Sequence, residues 1–293
     1  MNDTNRTVLV AGAGGRLGQL IVQELRRKQY PVRVLSRAGR PGPEGEGIQR
    51  MEGDLADPAS LDRALAGAAA VVSAVNGGED VVVGGQKRLL EAAKRQGVGR
   101  FIPSDYSVDH FKLDPGDNVF LDYRKQVANA VLESGVGHTF VLMGGFIDVM
   151  LRYGAFDLAA GRMNYWGTGN EPFHVTSIED TARLVAEVVF DERARNRAVH
   201  FAAEMVTNRG VAAEYERISG RKLEENKLGS LDDLARWIAD KKKTARSPLE
   251  YVFGQYAWAQ LTGKAALTGL VNDWYPDLKP VTVRQTLQKM LAR

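Results

Sequence analysis

The sequence contains no cysteine. Disulfides, thiolate zinc sites and a cysteine nucleophile are therefore excluded, and the redox state of the compartment leaves no mark. Histidine is scarce. The four, at positions 110, 138, 174 and 200, show no ligand spacing such as His-x-x-x-His, so no metal is expected. No window reaches the roughly 18 apolar residues that span a bilayer. The opening MNDTNRT has no apolar stretch behind it, which reads as a chain without a secretory signal and points to the cytoplasm. Acidic and basic residues nearly balance, 36 against 39. The one dense basic run, Lys241–Arg246, follows Asp232, Asp233 and Asp240 and holds no aromatic residue. It reads as a solvated helix end rather than a nucleic-acid surface. Neither a nucleic acid nor a membrane is expected as a partner.

What is present suits a folded protein: 293 residues, 44% hydrophobic and 26% charged, enough for one large core or two domains with a shared interface. The first half alternates short apolar runs with amphipathic ones. TVLVAG, PVRVLSR, IQRMEGD, AAAVVSAV, GRFIPSD and HTFVLMGG read as six strands. Leu17, Ile21 and Leu25 recur at helical spacing. DPASLDRALAG reads as a helix with Asp57 as N-cap, Pro58 at its first position and Gly67 as its stop. Further helices run from Gln86 to Gln96 and from about Val119 to Ser134, stopped by Gly97 and Gly135. Alternation of this kind predicts an α/β protein with a doubly wound parallel sheet, a Rossmann domain over residues 1–145. From residue 146 to 293 the pattern changes to a smaller mixed, mostly helical part, read as substrate-binding. It includes a turn within RMNYWGTGNEPFHV, a helix opened by Ser177-x-x-Asp180, and helices in LDDLARWIADKKK and TVRQTLQKMLAR.

Between the first strand and the first helix lies Gly12-x-x-Gly15-x-x-Gly18, with Gly14 beside it. Glycine supplies positive φ for a tight turn. It also lets backbone approach a pyrophosphate, which the free N–H groups of the following helix attract, and Gly18 lets that helix pack closely on the strand. In this strand–turn–helix setting the pattern predicts dinucleotide binding. The end of the second strand distinguishes the two cofactors. An NAD site carries Asp or Glu about 20 residues past the turn. Here the chain reads Leu35-Ser36-Arg37, with Arg40 close behind. A guanidinium matches a 2′-phosphate and stacks on adenine, so NADP(H) is favoured over NAD. Asp54 is placed to touch the adenine side.

The segments VVSAVNGG, QKRLLEAAKRQGVGRFIPSDYS and GVGHTFVLMGGF carry a resemblance, as do YWGTGNEPFHVTSIEDTARLVAEVV and WYPDLKPVTVRQTLQKML. Over nearly its whole length the sequence resembles the isoflavone reductase and phenylcoumaran benzylic ether reductase group of NmrA-like, atypical short-chain dehydrogenase/reductases. The resemblance implies NADPH carried by Gly12, Gly15, Gly18 and Arg37, with Val75, Asn76, Pro103 and Ser104 lining the nicotinamide half. It also implies a lysine on the helix after the fifth strand that assists proton transfer. The full set of expected cofactor contacts is Gly12, Gly14, Gly15, Arg16, Leu17, Gly18, Ser36, Arg37, Asp54, Leu55, Val75, Asn76, Pro103, Ser104 and Lys125.

The sequence departs from that group at two places. The group's Pro-Ser-Glu-Phe-Gly reads Pro103-Ser104-Asp105-Tyr106-Ser107 here. Its lysine falls eleven residues before the glycine that ends the helix. Counted back from Gly135 that position is Arg124, and Lys125 is ten back. One residue turns a helix by about 100°. Lys125 serves as the catalytic residue if the helix start is irregular; otherwise Arg124 occupies the site, and a guanidinium does not give up its proton as an acid.

The short-chain reductase pattern Tyr-x-x-x-Lys occurs only at Tyr275 and Lys279, where Pro276 and Pro280 exclude a helix. Tyr106, Tyr123 and His110 are further donor candidates. Met143, Phe146 and Met150 read equally well as substrate-pocket lining or core, while Tyr165 and Trp166 read as packing residues.

The leading expectation is an NADPH-dependent reductase of a small aromatic or carbonyl-bearing substrate. The alternative is a non-catalytic NADP(H)-binding sensor that signals through a regulatory protein partner. A homo-oligomer is compatible with both. A sugar-nucleotide epimerase is disfavoured without a helical Tyr-x-x-x-Lys pair.

Overall fold

In a computed structural model, residues 6–40 and 42–292 are described. The leader reading at the first five residues thus lies outside the described part. The chain divides by contact into two units, one of residues 1–106, 123–141 and 181–199, the other of residues 107–122, 142–180 and 200–293. The expected boundary at residue 145 falls inside a short strand, Gly145–Phe146.

The first unit follows the chain through β1 (Val8–Ala11), α1 (Arg16–Arg27), β2 (Val32–Ser36), β3 (Ile48–Glu52), α2 (Pro58–Leu65), β4 (Ala70–Ser73), α3 (Gln86–Arg95) and β5 (Arg100–Ile102). Most of α4 (Val119–Ser134) and β6 (Thr139–Leu142) follow. Five strands form one parallel sheet in the order β3-β2-β1-β4-β5. All four residues of β1 are fully buried, as expected for a strand covered on both faces. In α1 the buried residues are Gly18, Ile21, Val22 and Leu25, one helical stripe. Asp57 caps α2 by accepting from the Ala59 N–H at 3.0 Å, with Pro58 next. Gly67, Gly97 and Gly135 follow the ends of α2, α3 and α4 with φ of +71°, +65° and +75°. The expected sixth strand is present as β6. It pairs with β11 (Arg197–His200), and a parallel bridge between Phe101 and His138 joins its leading edge to β5.

After residues 107–122, the second unit continues with β7 (Gly145–Phe146), α5 (Ile147–Tyr153), β8 (Phe156–Asp157), β9 (Arg162–Trp166) and β10 (Phe173–Thr176). The helix α6 (Ile178–Val188) leads away, and β12 (Glu204–Val206), α7 (Asn208–Ser219), β13 (Glu224–Gly229), α8 (Leu231–Thr244), α9 (Val252–Leu261) and α10 (Val283–Leu291) complete the unit. Two three-stranded sheets, β12-β10-β7 and β13-β9-β8, share its apolar core of Ile147, Met163, Tyr165, Val175, Tyr215 and Leu287. Tyr165 is buried there and Trp166 packs beside it. Among the described residues no helix is long and apolar enough to cross a membrane.

Candidate cofactor and active site

Parallel register brings the ends of the strands to one edge. Ala11 lies opposite both Leu35 and Ser73, Glu52 opposite Ser36, and Ile102 opposite Val72. The segments that follow are the ones singled out in the sequence: Gly12–Gly18 after β1, Ser36–Arg37 after β2, Asp54–Leu55 after β3, Val75–Asn76 after β4 and Pro103–Ser104 after β5. The strand order reverses between β1 and β4, so these residues surround the crevice where open α/β sheets bind ligands.

The three glycines differ in what they require. Gly12 has φ +79°, and a Cβ there would meet the Ala74 carbonyl at 2.6 Å. A Cβ on Gly18 would lie 2.2 Å from the Gly12 carbonyl oxygen. Both positions are closed by backbone. At Gly15 the nearest atom would be the Gly12 oxygen at 3.5 Å, an ordinary contact. The fold tolerates a side chain at Gly15, so its glycine leaves a clear approach to α1. That helix starts with Gly15 as N-cap and has no side-chain cap, leaving its first N–H groups for an external acceptor. Gln19 holds the loop, its Nε2 donating to the Gly14 carbonyl at 3.1 Å. Arg16 is exposed and Leu17 half-buried.

On the far side of the crevice Ser36 is buried and Arg37 exposed. A turn follows, closed by the Arg40 N–H donating to the Arg37 carbonyl at 3.1 Å. Arg50 on β3 clamps that turn by donating to the Arg40 carbonyl at 2.6 Å. Asp54 accepts from the Ala56 N–H at 2.8 Å, and the Leu55 carbonyl accepts from Arg88 at 2.6 Å. Guanidinium, clear glycine and uncapped helix together suit an adenine dinucleotide phosphate.

The loops after β4 and β5 are stitched by buried polar groups. Ser104 Oγ donates to the Val75 carbonyl at 2.8 Å, and the Ser104 N–H donates to Gln86 Oε1 at 2.9 Å. Gln86, fully buried, in turn donates to the Val82 carbonyl at 2.9 Å. Asn76 is exposed beside this knot and Pro103 is buried in it. Arg124 Nε donates to the Ser104 carbonyl at 3.1 Å. Lys125, one residue on, is half-buried on the same helix. Tyr106 donates its hydroxyl to the Ser73 carbonyl at 2.9 Å. Burial, and then the charge of Asp105, hold its phenol well above the usual tyrosine range, so Tyr106 is a structural donor. Tyr123 is half-buried next to Arg124. In the second unit His110 is buried against Phe111, rings 4.4 Å apart. Met143 is buried there too, and Phe146 and Met150 are half-buried. Tyr275 and Lys279 lie outside any helix.

The NmrA-like family model matches residues 4–269. The chain belongs to the NmrA-like family. Among its relatives, a bifunctional pinoresinol-lariciresinol reductase of Linum usitatissimum is 28% identical over 250 residues, 78% of this chain and 80% of that protein. A (4-alkanoyl-5-oxo-2,5-dihydrofuran-3-yl)methyl phosphate reductase of Streptomyces griseus is 30% identical over 273 residues, 91% of this chain and 92% of that one. The solved structure of AtPrR2 with NADP+ and (+)-pinoresinol superimposes with a TM-score of 0.84 at 22% identity, covering 99% of both chains. The fold of this NmrA-like chain is thus that of known reductases.

Sequence reading passed over two residues here. Gln86 was placed only as a helix start; a polar side chain at the buried face of an amphipathic helix was its one signal. Arg50 carried no signal at all, because its clamp on the Arg40 carbonyl exists only once β3 pairs with β2.

Proposed function

We propose that this NmrA-like chain is an NADPH-dependent reductase of a small aromatic or carbonyl-bearing substrate. The observation that carries the reading is the crevice itself: a glycine turn that needs no glycine at Gly15 for its own packing, an uncapped α1, and Arg37 at the end of β2. The reductases among its relatives support the chemistry.

In this reading the α1 N–H groups and Gly12–Gly18 hold the pyrophosphate, with Gly14, Arg16 and Leu17 around it. Ser36, Arg37, Asp54 and Leu55 take the adenosine half, and Val75, Asn76, Pro103 and Ser104 the nicotinamide half. NADPH, when bound, supplies a hydride. Negative charge then develops on a substrate oxygen, and a positioned cation or acid stabilises it. Lys125 is the group that releases a proton. Arg124 orients the Ser104 carbonyl and brings a guanidinium to its edge.

Calorimetry on Arg37→Ala tests the cofactor choice. NADPH affinity falls about tenfold or more while NADH affinity is unchanged, as expected for loss of a charge-assisted phosphate contact. Equal NADPH affinity in both proteins overturns the phosphate site. Turnover is then read as NADPH oxidation with (+)-pinoresinol and a panel of aromatic enones. Lys125→Ala abolishes it even at saturating NADPH. A silent wild type that still binds NADPH tightly speaks for a sensor instead.

A further inference from the structure

The sheet β13-β9-β8 ends at β13, and that edge is open. Glu224, Glu225, Asn226, Lys227 and Leu228 are all exposed, and only Gly229 is half-buried. An edge strand presents a row of unmatched backbone N–H and C=O groups. The pairing with β9 decides which residues carry that row. The two strands run parallel, Glu224 opposite Arg162 and Lys227 opposite Tyr165. In a parallel pair every second residue turns its N–H and C=O toward the neighbour. The Glu224 N–H donates to the Gly161 carbonyl at 2.8 Å, so Glu224 and Asn226 face β9. Glu225 and Lys227 therefore turn theirs to the open edge. The ladder shifts register between Lys227 and Gly229, which ends the regular stretch.

Side chains two residues apart on a strand share a face, so Glu225 and Lys227 stand side by side along the edge. The carboxylate of Glu225 is held in place through one oxygen. Its Oε2 accepts from Arg209 Nη2 at 3.0 Å and from the Tyr165 hydroxyl at 3.3 Å, and Oε1 is left open. Among the described residues the Lys227 ammonium has no partner.

A charged edge usually repels an added strand. This one is complementary to itself. A second copy brought to the edge by a two-fold axis runs antiparallel to the first. Its outward groups must meet those of Glu225 and Lys227, so the axis falls at residue 225, 226 or 227. An axis at 225 sets Glu225 against Glu225, and one at 227 sets Lys227 against Lys227. Only an axis at Asn226 sets each Glu225 against Lys227 of the other copy. Both residues of such a pair then exchange their backbone hydrogen bonds, with opposite charges directly across.

We propose that the edge of β13 is the interface of a symmetric dimer, in which it pairs antiparallel with β13 of a second copy in the register centred on Asn226. The pairing uses none of the cofactor residues and holds whether or not the chain is a reductase. A contact this short is weak, so the dimer forms by mass action rather than permanently.

Sedimentation of the full-length, cofactor-free protein tests it. The mass rises from 32.1 kDa toward twice that value between about 1 µM and about 1 mM protein. The amide protons of Glu225 and Lys227 exchange more slowly at the concentrated end. Lys227→Arg keeps the dimer. Lys227→Glu sets like charges across both pairs and weakens it about tenfold. Mixed with Glu225→Lys, the Lys227→Glu protein dimerises again, because every Glu then faces a Lys; thermal melts check that each variant is folded. A wild type that stays monomeric at the highest concentration overturns the interface. So do amides at 225 and 227 that ignore concentration, a Lys227→Glu protein that dimerises like wild type, or folded variants that stay monomeric when mixed. NADPH calorimetry is indifferent to all of these outcomes, so the reductase reading stands or falls separately.

Discussion

Gly12, Gly15 and Gly18 are interchangeable letters in the sequence and three different constraints in space. Gly18 is closed by the Gly12 carbonyl and the Ala13 Cα, both backbone, so nothing flexible can give way. Gly18→Ala is expected to destabilise the protein by at least about 1–3 kcal/mol through overpacking. Gly15→Ala meets only one atom at ordinary contact distance. It should leave the stability of the cofactor-free protein within about 1 kcal/mol, yet weaken NADPH about tenfold by crowding the approach to α1. Thermal melts and calorimetry on the two variants check this. Wild-type NADPH affinity in Gly15→Ala would mean that no anion sits over the helix.

The spacing of these glycines was legible, and so was the close packing at Gly18; that Gly12 is closed by the Ala74 carbonyl while Gly15 stays open was not, because it depends on which backbone crosses above each. The Arg124 contact was equally hidden. Helix phase at that position follows from where α4 starts, and the start is fixed by Asn118, whose Oδ1 accepts from the N–H groups of Phe120 at 3.0 Å and Leu121 at 3.1 Å. Counting back from Gly135 identified the two candidates and stopped there.

At the scale of elements, α8 accounts for the densest charge run in the sequence. Asp232 and Asp233 occupy its first turn and Lys241, Lys242 and Lys243 its last, each complementing the helix dipole at its own end. Lys242 donates to the Gly116 carbonyl at 2.8 Å and Lys243 pairs with Asp240 at 2.7 Å. The basic run is thus a helix end, as its composition suggested. At the other end Ser230 and Asp233 form a reciprocal capping box. The N–H and hydroxyl of Ser230, and then Arg236, pull the Asp233 carboxyl from 3.8 down to about 2. A folded-state pKa below the unfolded one means stabilisation that is complete above the unfolded value and fades as pH falls toward the folded one. The difference in melting temperature between wild type and Asp233→Asn should therefore hold steady from neutrality to about pH 5 and close between about pH 4 and pH 2. A gap that persists at the acid end would show that the carboxylate charge contributes nothing to the cap.

The whole molecule returns on itself in a way that local patterns do not announce. Strand and helix alternation gave the parallel, doubly wound character of the first sheet, since each unit of that pattern closes within a few tens of residues. Residues 181–199 are different: they group with the first unit although they lie between strands of the second, β10 before them and β12 after. Arg100 shows the attachment. It is 2% exposed and donates to Thr139 Oγ1 at 3.0 Å, to the Val188 carbonyl at 3.1 Å and to the Asp191 carbonyl at 3.2 Å. Lys28 pairs with Glu187 at 2.7 Å, and Tyr30 stacks edge-on to Phe190 at 5.0 Å. None of these partners is near in sequence, so no window reading could find them. The stretch also buries Ala182, Leu184, Val185, Ala186, Val188 and Val189 almost completely. Their burial is worth on the order of 10 kcal/mol, comparable with the entire stability of a domain. A fragment of residues 1–145 is therefore expected to show no cooperative thermal unfolding and no NADPH binding by calorimetry. The same fragment joined through a short flexible linker to residues 178–199 should recover both. If the bare fragment melts cooperatively and binds NADPH as the full chain does, the returning segment carries no essential part of the fold, and residues 1–145 stand as a domain by themselves.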